Sequence, residues 1–273
     1  MKIVVTGASG FVGRHLVHCL ALRGVKVIAV SRRNLPGTIQ VRSYEDTPQG
    51  DVLIHIGEVS DRIFAQENAP HYELQALKTL ESLLAKGFSR VIYSSSAVLY
   101  GDQGFVPRNV DDPIYETDAY TRLKNASEQL VLSHKGVVAR LSNIYGIGMS
   151  DKNVLSTILR QLRNEGPIRI IDNGPVRDFL WVEDAVYGLA DMAIGTAYGI
   201  FNLGSGKGVS IKDLVLEVLS AAGQIGRKVE SNQITKKQST LILNIMETQR
   251  CFGWYPTVSL KEGVTILVND NSI

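Results

Sequence analysis

Cysteine is scarce in this chain, with only Cys19 and Cys251 among 273 residues. Two thiols so far apart cannot form the disulfide framework of a small secreted fold. They read as free thiols in a reducing compartment, so a cytoplasmic location is expected. Long apolar runs are missing too: none approaches the roughly 18 residues a membrane helix needs. The N-terminus enters a β-branched run at once, without the basic and apolar regions of a secretory signal. Charge of one sign is also absent. Lys and Arg number 29 against 27 Asp and Glu, a formal net charge of +2 with no basic block, which offers nucleic acid no footprint. Five histidines lack metal-ligand spacing, so no metal site is expected. There is no internal repeat, low-complexity tract or Pro/Ser-rich linker. What remains is 44% hydrophobic and 21% charged, the profile of a globular chain long enough for one large or two modest domains.

The most informative stretch that is present runs from residue 3 to 15, I-V-V-T-G-A-S-G-F-V-G-R-H. An apolar run (Ile3 to Val5) meets a turn containing Gly7, Gly10 and Gly13, and a helical pattern (Phe11, Val12, Leu16, Val17, Leu20) follows. Strand, glycine turn and helix in this order predict a dinucleotide site. Glycine tolerates positive φ and lets backbone approach a pyrophosphate, whose charge the helix N-terminus stabilises. The spacing T-G-x-x-G-x-x-G resembles that of short-chain dehydrogenases/reductases. Thr6, Gly7, Gly10, Phe11, Val12 and Gly13 are therefore expected to bind the cofactor.

Apolar runs recur at 3–5, 25–30, 52–56, 91–93 and 137–139. Helical patterns fall at 11–23, 69–86 and 120–134. This alternation predicts an α/β fold: a Rossmann-type doubly wound parallel sheet with helices on both faces. The 31–51 segment is short for a complete strand-and-helix unit, so one crossover should be trimmed. The rhythm loosens after residue 146, with helices expected at 153–163, 183–194 and 211–222 and a strand at 168–171. The expected division is a dinucleotide-binding domain over 1–146, with possible later returns to it. A smaller α/β C-terminal lobe, mainly for substrate, would cover 147–273.

Tyr120 and Lys124 stand at i and i+4 on one face of a predicted helix. Val91-Ile92-Tyr93 runs into Ser94-Ser95-Ser96, placing hydroxyls at a strand's C-terminal end, where open α/β sheets bind ligands. With Arg140-Leu-Ser-Asn143-Ile-Tyr-Gly146 and R-D-F-L-W-V-E-D from Arg177, the order of motifs resembles the NAD-dependent epimerase/dehydratase family. These are extended short-chain dehydrogenases acting on nucleotide sugars. The resemblance continues through Phe201-Asn-Leu-Gly-Ser205 to Gly253-Trp-Tyr-Pro256. It implies Ser96 as the catalytic hydroxyl, Tyr120 as general acid/base and Lys124 as its electrostatic partner. It also places Tyr120 and Lys124 at the cofactor, and Ser96, Asn143 and Arg177 at a nucleotide-sugar substrate. The alternative for Arg177 is a surface ion pair with Asp178.

The physics fits these roles. Free tyrosine, with a pKa of about 10, is too weakly acidic for efficient proton transfer near neutrality. An ammonium about 4 Å away favours the phenolate by about 4 kcal/mol at an effective dielectric of 20. The second strand ends in Ser31-Arg32-Arg33, where an acidic residue would hold the ribose of NAD. A hydroxyl and guanidinium groups suit a 2′-phosphate better, so Ser31 and Arg32 favour NADP(H), with NAD(H) the alternative.

The resemblance leaves three functions open. The first is NADPH-dependent reduction of a nucleotide-activated 4-keto (6-deoxy) sugar. The second is NAD-dependent 4-epimerisation with the same three residues. The third, of another class, is a non-catalytic dinucleotide sensor. Ala97-Val98 replaces the Asp-Glu pair of family 4,6-dehydratases, which argues against dehydration. One departure stands at His55-Ile56-Gly57-Glu58, where the family usually has His-Leu-Ala-Ala. Glu58 there is expected to face solvent in preference to substrate. The helices at 69–86 and 120–134 correspond to those of an intersubunit bundle in many relatives, so a homodimer is possible. The stripe Leu74, Leu77, Leu80 and Leu84 is read first as core.

Overall fold

The structure is a computed structural model describing residues 1–104, 106–233 and 239–270. Six strands come first: β1 (Lys2–Thr6), β2 (Lys26–Ser31), β3 (Ile39–Gln40), β4 (Val52–His55), β5 (Arg90–Ser96) and β6 (Val137–Leu141). Then follow β7 (Asn143–Tyr145), β8 (Ile168–Asp172) and β9 (Val176–Trp181), and after them β10 (Gly199–Leu203). β10 returns to the N-terminal sheet, whose order is β10-β6-β5-β4-β1-β2-β3 with every pairing parallel. The chain order reverses beside β1, and such a switch point opens a crevice at the strands' C-terminal ends.

The strands alternate their side chains between two cores, which explains their unbroken apolar runs. Ile3, Val5, Val52, Ile54 and Ile92 face one layer. That layer holds α1 (Phe11–Leu22) and, from much later in the chain, α6 (Val182–Ile194). Val4, Leu53, Val91, Tyr93 and Val138 face the other core, with Leu80, Leu83, Leu84 and Val131. These last belong to α3 (His71–Leu84) and α4 (Ala119–Ser133). Within the expected stripe Leu80 and Leu84 are buried and Leu77 is half-buried, while Leu74 is exposed.

The expected 69–86 helix is α3, over His71–Leu84 with Pro70 as its N-cap, because proline cannot supply an interior helical N–H. A separate short α2 (Arg62–Glu67), outside the expected range, precedes it. The 31–51 crossover is indeed trimmed, to two-residue β3 and a 3₁₀ turn at Tyr44–Asp46. The second lobe has its own core around Tyr145, Leu159, Ile168, Trp181 and Leu214. It comprises β7 to β9, α5 (Val154–Gln161), β11 (Gly208–Ser210), α7 (Ile211–Ala221), β12 (Val229–Gln233) and β13 (Thr240–Leu241). Two further helices are α8 (Met246–Phe252) and α9 (Leu260–Asn269). α6 and β10 thus belong with the first sheet although they follow residue 146. Among the described residues no helix is long and apolar enough to cross a membrane.

Candidate active site

The C-terminal ends of β1, β4, β5 and β6 open into one cleft. A cavity of about 380 Å³ there is lined by Gly7, Gly10, Phe11, Val12 and Gly13, by Glu58 and Ser94 to Ser96, and by Tyr120 and Lys124. An adjoining cavity of about 330 Å³ shares Ser96 and Tyr120 and adds Val98, Asn143, Tyr145 and Phe179. The first joins the glycine turn to Ser96, Tyr120 and Lys124, and the second leads toward the C-terminal lobe.

The glycine turn is built for close approach. Gly7 has φ of +75°, and a Cβ there would lie 2.6 Å from the Ile56 carbonyl oxygen. A Cβ on Gly13 would lie 2.1 Å from the Gly7 carbonyl oxygen, so only glycine lets α1 start against the turn. α1 has Gly10 as its N-cap with no side-chain cap, and no acidic residue in its first turn. Its first N–H groups are left for an anion, and the helix dipole favours one. This cradle fits a dinucleotide diphosphate. Thr6 lies just below it, buried, its Oγ1 2.7 Å from His55 Nδ1.

α4 carries the expected acid/base pair, and its start is locked. Asp118 accepts from the Thr121 N–H at 2.8 Å while Thr121 Oγ1 accepts from the Asp118 N–H at 3.0 Å, a reciprocal cap. Arg62 of α2 hydrogen-bonds Asp118 and ties the two helices. In the first turn Tyr120, and one turn on Lys124, are both buried and face the cleft. The Lys124 ammonium sits 5.7 Å from the Tyr120 ring centroid and 4.7 Å from that of Tyr93. Ser96, at the tip of β5, accepts from the Val98 N–H at 3.3 Å and caps the 3₁₀ turn Ala97–Tyr100. Deeper in, Ser95 hydrogen-bonds Glu128 of α4, which forms a buried ion pair with Arg140 of β6 at 2.6 Å. That cluster fastens α4 to the two strands that carry the cleft.

Glu58 does not face solvent. Its side chain is 7% exposed, and its Oε2 accepts from Lys124 Nζ at 2.9 Å and from the Tyr93 hydroxyl at 2.7 Å. Lys124 also donates to the Ser94 carbonyl at 2.8 Å. Tyr93 points to the α3/α4 face of the sheet, which is where Lys124 enters, so an acceptor between them meets two donors at once. Burial is the largest influence on Glu58 and opposes its charge, but the Lys124 ammonium, His55 and the hydrogen bonds from Tyr93 and Lys124 together hold the carboxyl below the usual range. Burial is likewise the largest influence on Lys124 and works against its charge, but Glu58 together with Tyr93 and Tyr120 overrides it and raises the ammonium well above its ordinary value. His55 beside them is pushed down to about 4, chiefly by burial, and is therefore neutral near pH 7. Its Nε2 is 3.9 Å from Glu58 Oε1. Glu58 is the cleft residue that sequence reasoning misplaced. The signal was its position, just beyond a strand end at the switch point.

The remaining expected residues divide. Arg32 lines a cavity of about 290 Å³ on the far side of Gly7 and Gly10, its guanidinium carbon 5.2 Å above the Tyr44 ring. Ser31 is fully buried: its hydroxyl donates to Ser9 at 2.8 Å and accepts from the Arg33 N–H at 2.9 Å, so it reaches the cleft only through Ser9. Asn143 lines the substrate-side cavity and donates to the Asp178 carbonyl at 3.2 Å. Arg177 lines neither cavity shared by Ser96 and Tyr120. It pairs with Asp102 at 3.3 Å and donates to Ser239 Oγ at 2.7 Å, while Asp178 turns to the Ser205 and Gly206 N–H groups instead.

Sheet, switch-point cleft and glycine cradle define a Rossmann-type dinucleotide-binding protein. The chain belongs to the NAD dependent epimerase/dehydratase family, whose model matches residues 3–204. Among curated relatives, UDP-glucuronic acid decarboxylase 4 of Arabidopsis thaliana is 27% identical, over 99% of this chain and 68% of that protein. The dTDP-4-dehydro-6-deoxyglucose reductase of Escherichia coli is 22% identical, over 97% of this chain and 96% of that one. Among solved structures, MoeE5 in complex with UDP-glucuronic acid and NAD superposes with a TM-score of 0.86 at 26% identity, over 100% of both chains.

Proposed function

We propose that this protein is an NADPH-dependent enzyme that reduces a nucleotide-activated 4-keto, 6-deoxy sugar at C4. The observation that carries the reading is the meeting of Ser96, Tyr120 and Lys124 in one cleft with the glycine cradle. The bound dinucleotide supplies the hydride. Ser96 donates a hydrogen bond to the ketone oxygen and holds the carbon in place. Tyr120 gives its proton to the oxygen as it becomes an alcohol, and Lys124 stabilises the charge that Tyr120 takes on. Asn143 meets the sugar's diphosphate side from the adjoining cavity. Arg177 joins it by exchanging Asp102 for a phosphate oxygen. Arg32, and Ser31 through Ser9, favour the 2′-phosphate of NADP(H) over the bare ribose of NAD. A homodimer through α3 and α4 and a cytoplasmic location complete the reading.

The test is a panel of nucleotide sugars and their 4-keto derivatives, incubated with NADPH or NADH and read by mass spectrometry. Stoichiometric NADPH consumption with a 4-keto sugar is the expected outcome. Tightly retained NAD and interconversion of two C4 epimers without net oxidation would replace reduction with epimerisation. Tyr120→Phe should lower kcat by about 10²–10⁴-fold. Biological activity unchanged by that substitution would favour a sensor.

A further inference from the structure

Glu58 is placed where a ligand lying in the cleft must pass it. It lines the cavity that holds Ser96, Tyr120 and Lys124, and also the cavity beyond Gly7 and Gly10 that holds Arg32. Its two oxygens are used unequally. Oε2 takes both protein donors, Lys124 and Tyr93. Oε1 is buried and accepts no hydrogen bond among the described residues. The nearest nitrogen, His55 Nε2 at 3.9 Å, lies beyond hydrogen-bond range. A buried carboxylate oxygen without a donor is costly, and one that lines a cleft is open to a donor brought by a ligand.

We propose that Glu58 binds the dinucleotide directly: Oε1 accepts a hydrogen bond from a ribose hydroxyl, while Oε2 holds Lys124 in place. An ionised carboxylate only accepts, so its partner in the cleft must bring an O–H or N–H. The diphosphate brings only acceptors, and it is already provided for by the N-terminus of α1. The sugar hydroxyls of the dinucleotide are the donors available between the diphosphate and the reacting ring. Lys124 keeps one N–H beyond its bonds to Glu58 and Ser94, so the same hydroxyl group region meets a donor and an acceptor side by side. The family's small residue at this position offers no acceptor. In this chain the contact therefore adds affinity and fixes the sugar's orientation through one carboxylate.

The inference rests on the reading that the cleft takes a nicotinamide dinucleotide, and calorimetry separates the two. NADPH and NADH are titrated into the wild type, Glu58→Ala and Glu58→Gln, alongside each variant's melting temperature without ligand. Glu58→Ala should raise the Kd by about tenfold or more, the factor expected for losing a hydrogen bond to a charged group. Glu58→Gln, which keeps the shape and loses the charge, should weaken binding less. A Glu58 that served only to neutralise Lys124 would lower the melting temperature and leave the Kd of the folded protein unchanged. That result, or tighter binding by Glu58→Ala, overturns the proposal. Failure of the wild type to bind either dinucleotide overturns the cleft's assignment itself.

Discussion

The cluster beneath the active site gives a sharp test of how the cleft is held. Glu128 is 0% and Arg140 3% exposed, so neither charge is solvated. Glu128 accepts from Arg140 Nη2 at 2.6 Å and Nε at 3.0 Å, and from the Ser95 hydroxyl. Arg140 further donates to the Val110 carbonyl at 3.1 Å and lies 4.7 Å over the Tyr100 ring. Glu128→Leu strands the guanidinium in a dry interior. Breaking a buried pair from one side costs about 3–5 kcal/mol, a large part of a typical stability of about 5–15 kcal/mol. At about 2–4 °C per kcal/mol for a chain of this size, the melting temperature should fall by roughly 6–20 °C. Glu128→Leu/Arg140→Leu removes both charges and should recover most of that loss, because no buried charge is then unpaired. Urea unfolding of the wild type, both single variants and the double variant closes the cycle. The reasoning is refuted if Glu128→Leu lies within about 1 kcal/mol of the wild type, or if the double variant loses the sum of the two singles.

Two further outcomes follow from the site. Arg32→Asp should weaken NADPH more than NADH, because a carboxylate repels the 2′-phosphate; equal loss of both would remove the argument for NADP(H). His55 has a folded pKa of about 4, below its ordinary value of 6.5. A depressed value means the unfolded chain takes up the proton first. Its stabilising contribution is complete above pH 6.5 and is lost as the pH falls toward 4, amounting to about 3 kcal/mol by then. His55→Asn should show a correspondingly shallower loss of stability between pH 7 and 4 in urea melts, and identical slopes would refute the assignment.

Much of this was legible in the chain. Alternating apolar runs announced a parallel sheet because each strand is buried on both faces, and local patterning carries that signal. The glycine turn was legible because its requirement is local: positive φ at Gly7 and the absence of a Cβ at Gly13. Tyr120 and Lys124 could be paired because one helical turn brings them to the same face. The start of α3 just after Pro70 lay within reach of the same rules. Glu58 was not legible, since its neighbours Tyr93 and Lys124 lie 35 and 66 positions away. Whether a carboxylate after a strand meets water or an ammonium depends on which helix covers that strand end.

The sequence by itself determined the strand-and-helix alternation of the first sheet, the glycine turn and the placing of Tyr120 and Lys124 on one helical face, because each rests on neighbours within a turn or two of backbone. Only the tertiary structure decided the charge balance among them. It placed Glu58 against Lys124, turned Ser31 inward to Ser9 and directed Arg177 to Asp102, because contacts between distant segments arise only when parallel strands and their covering helices pack.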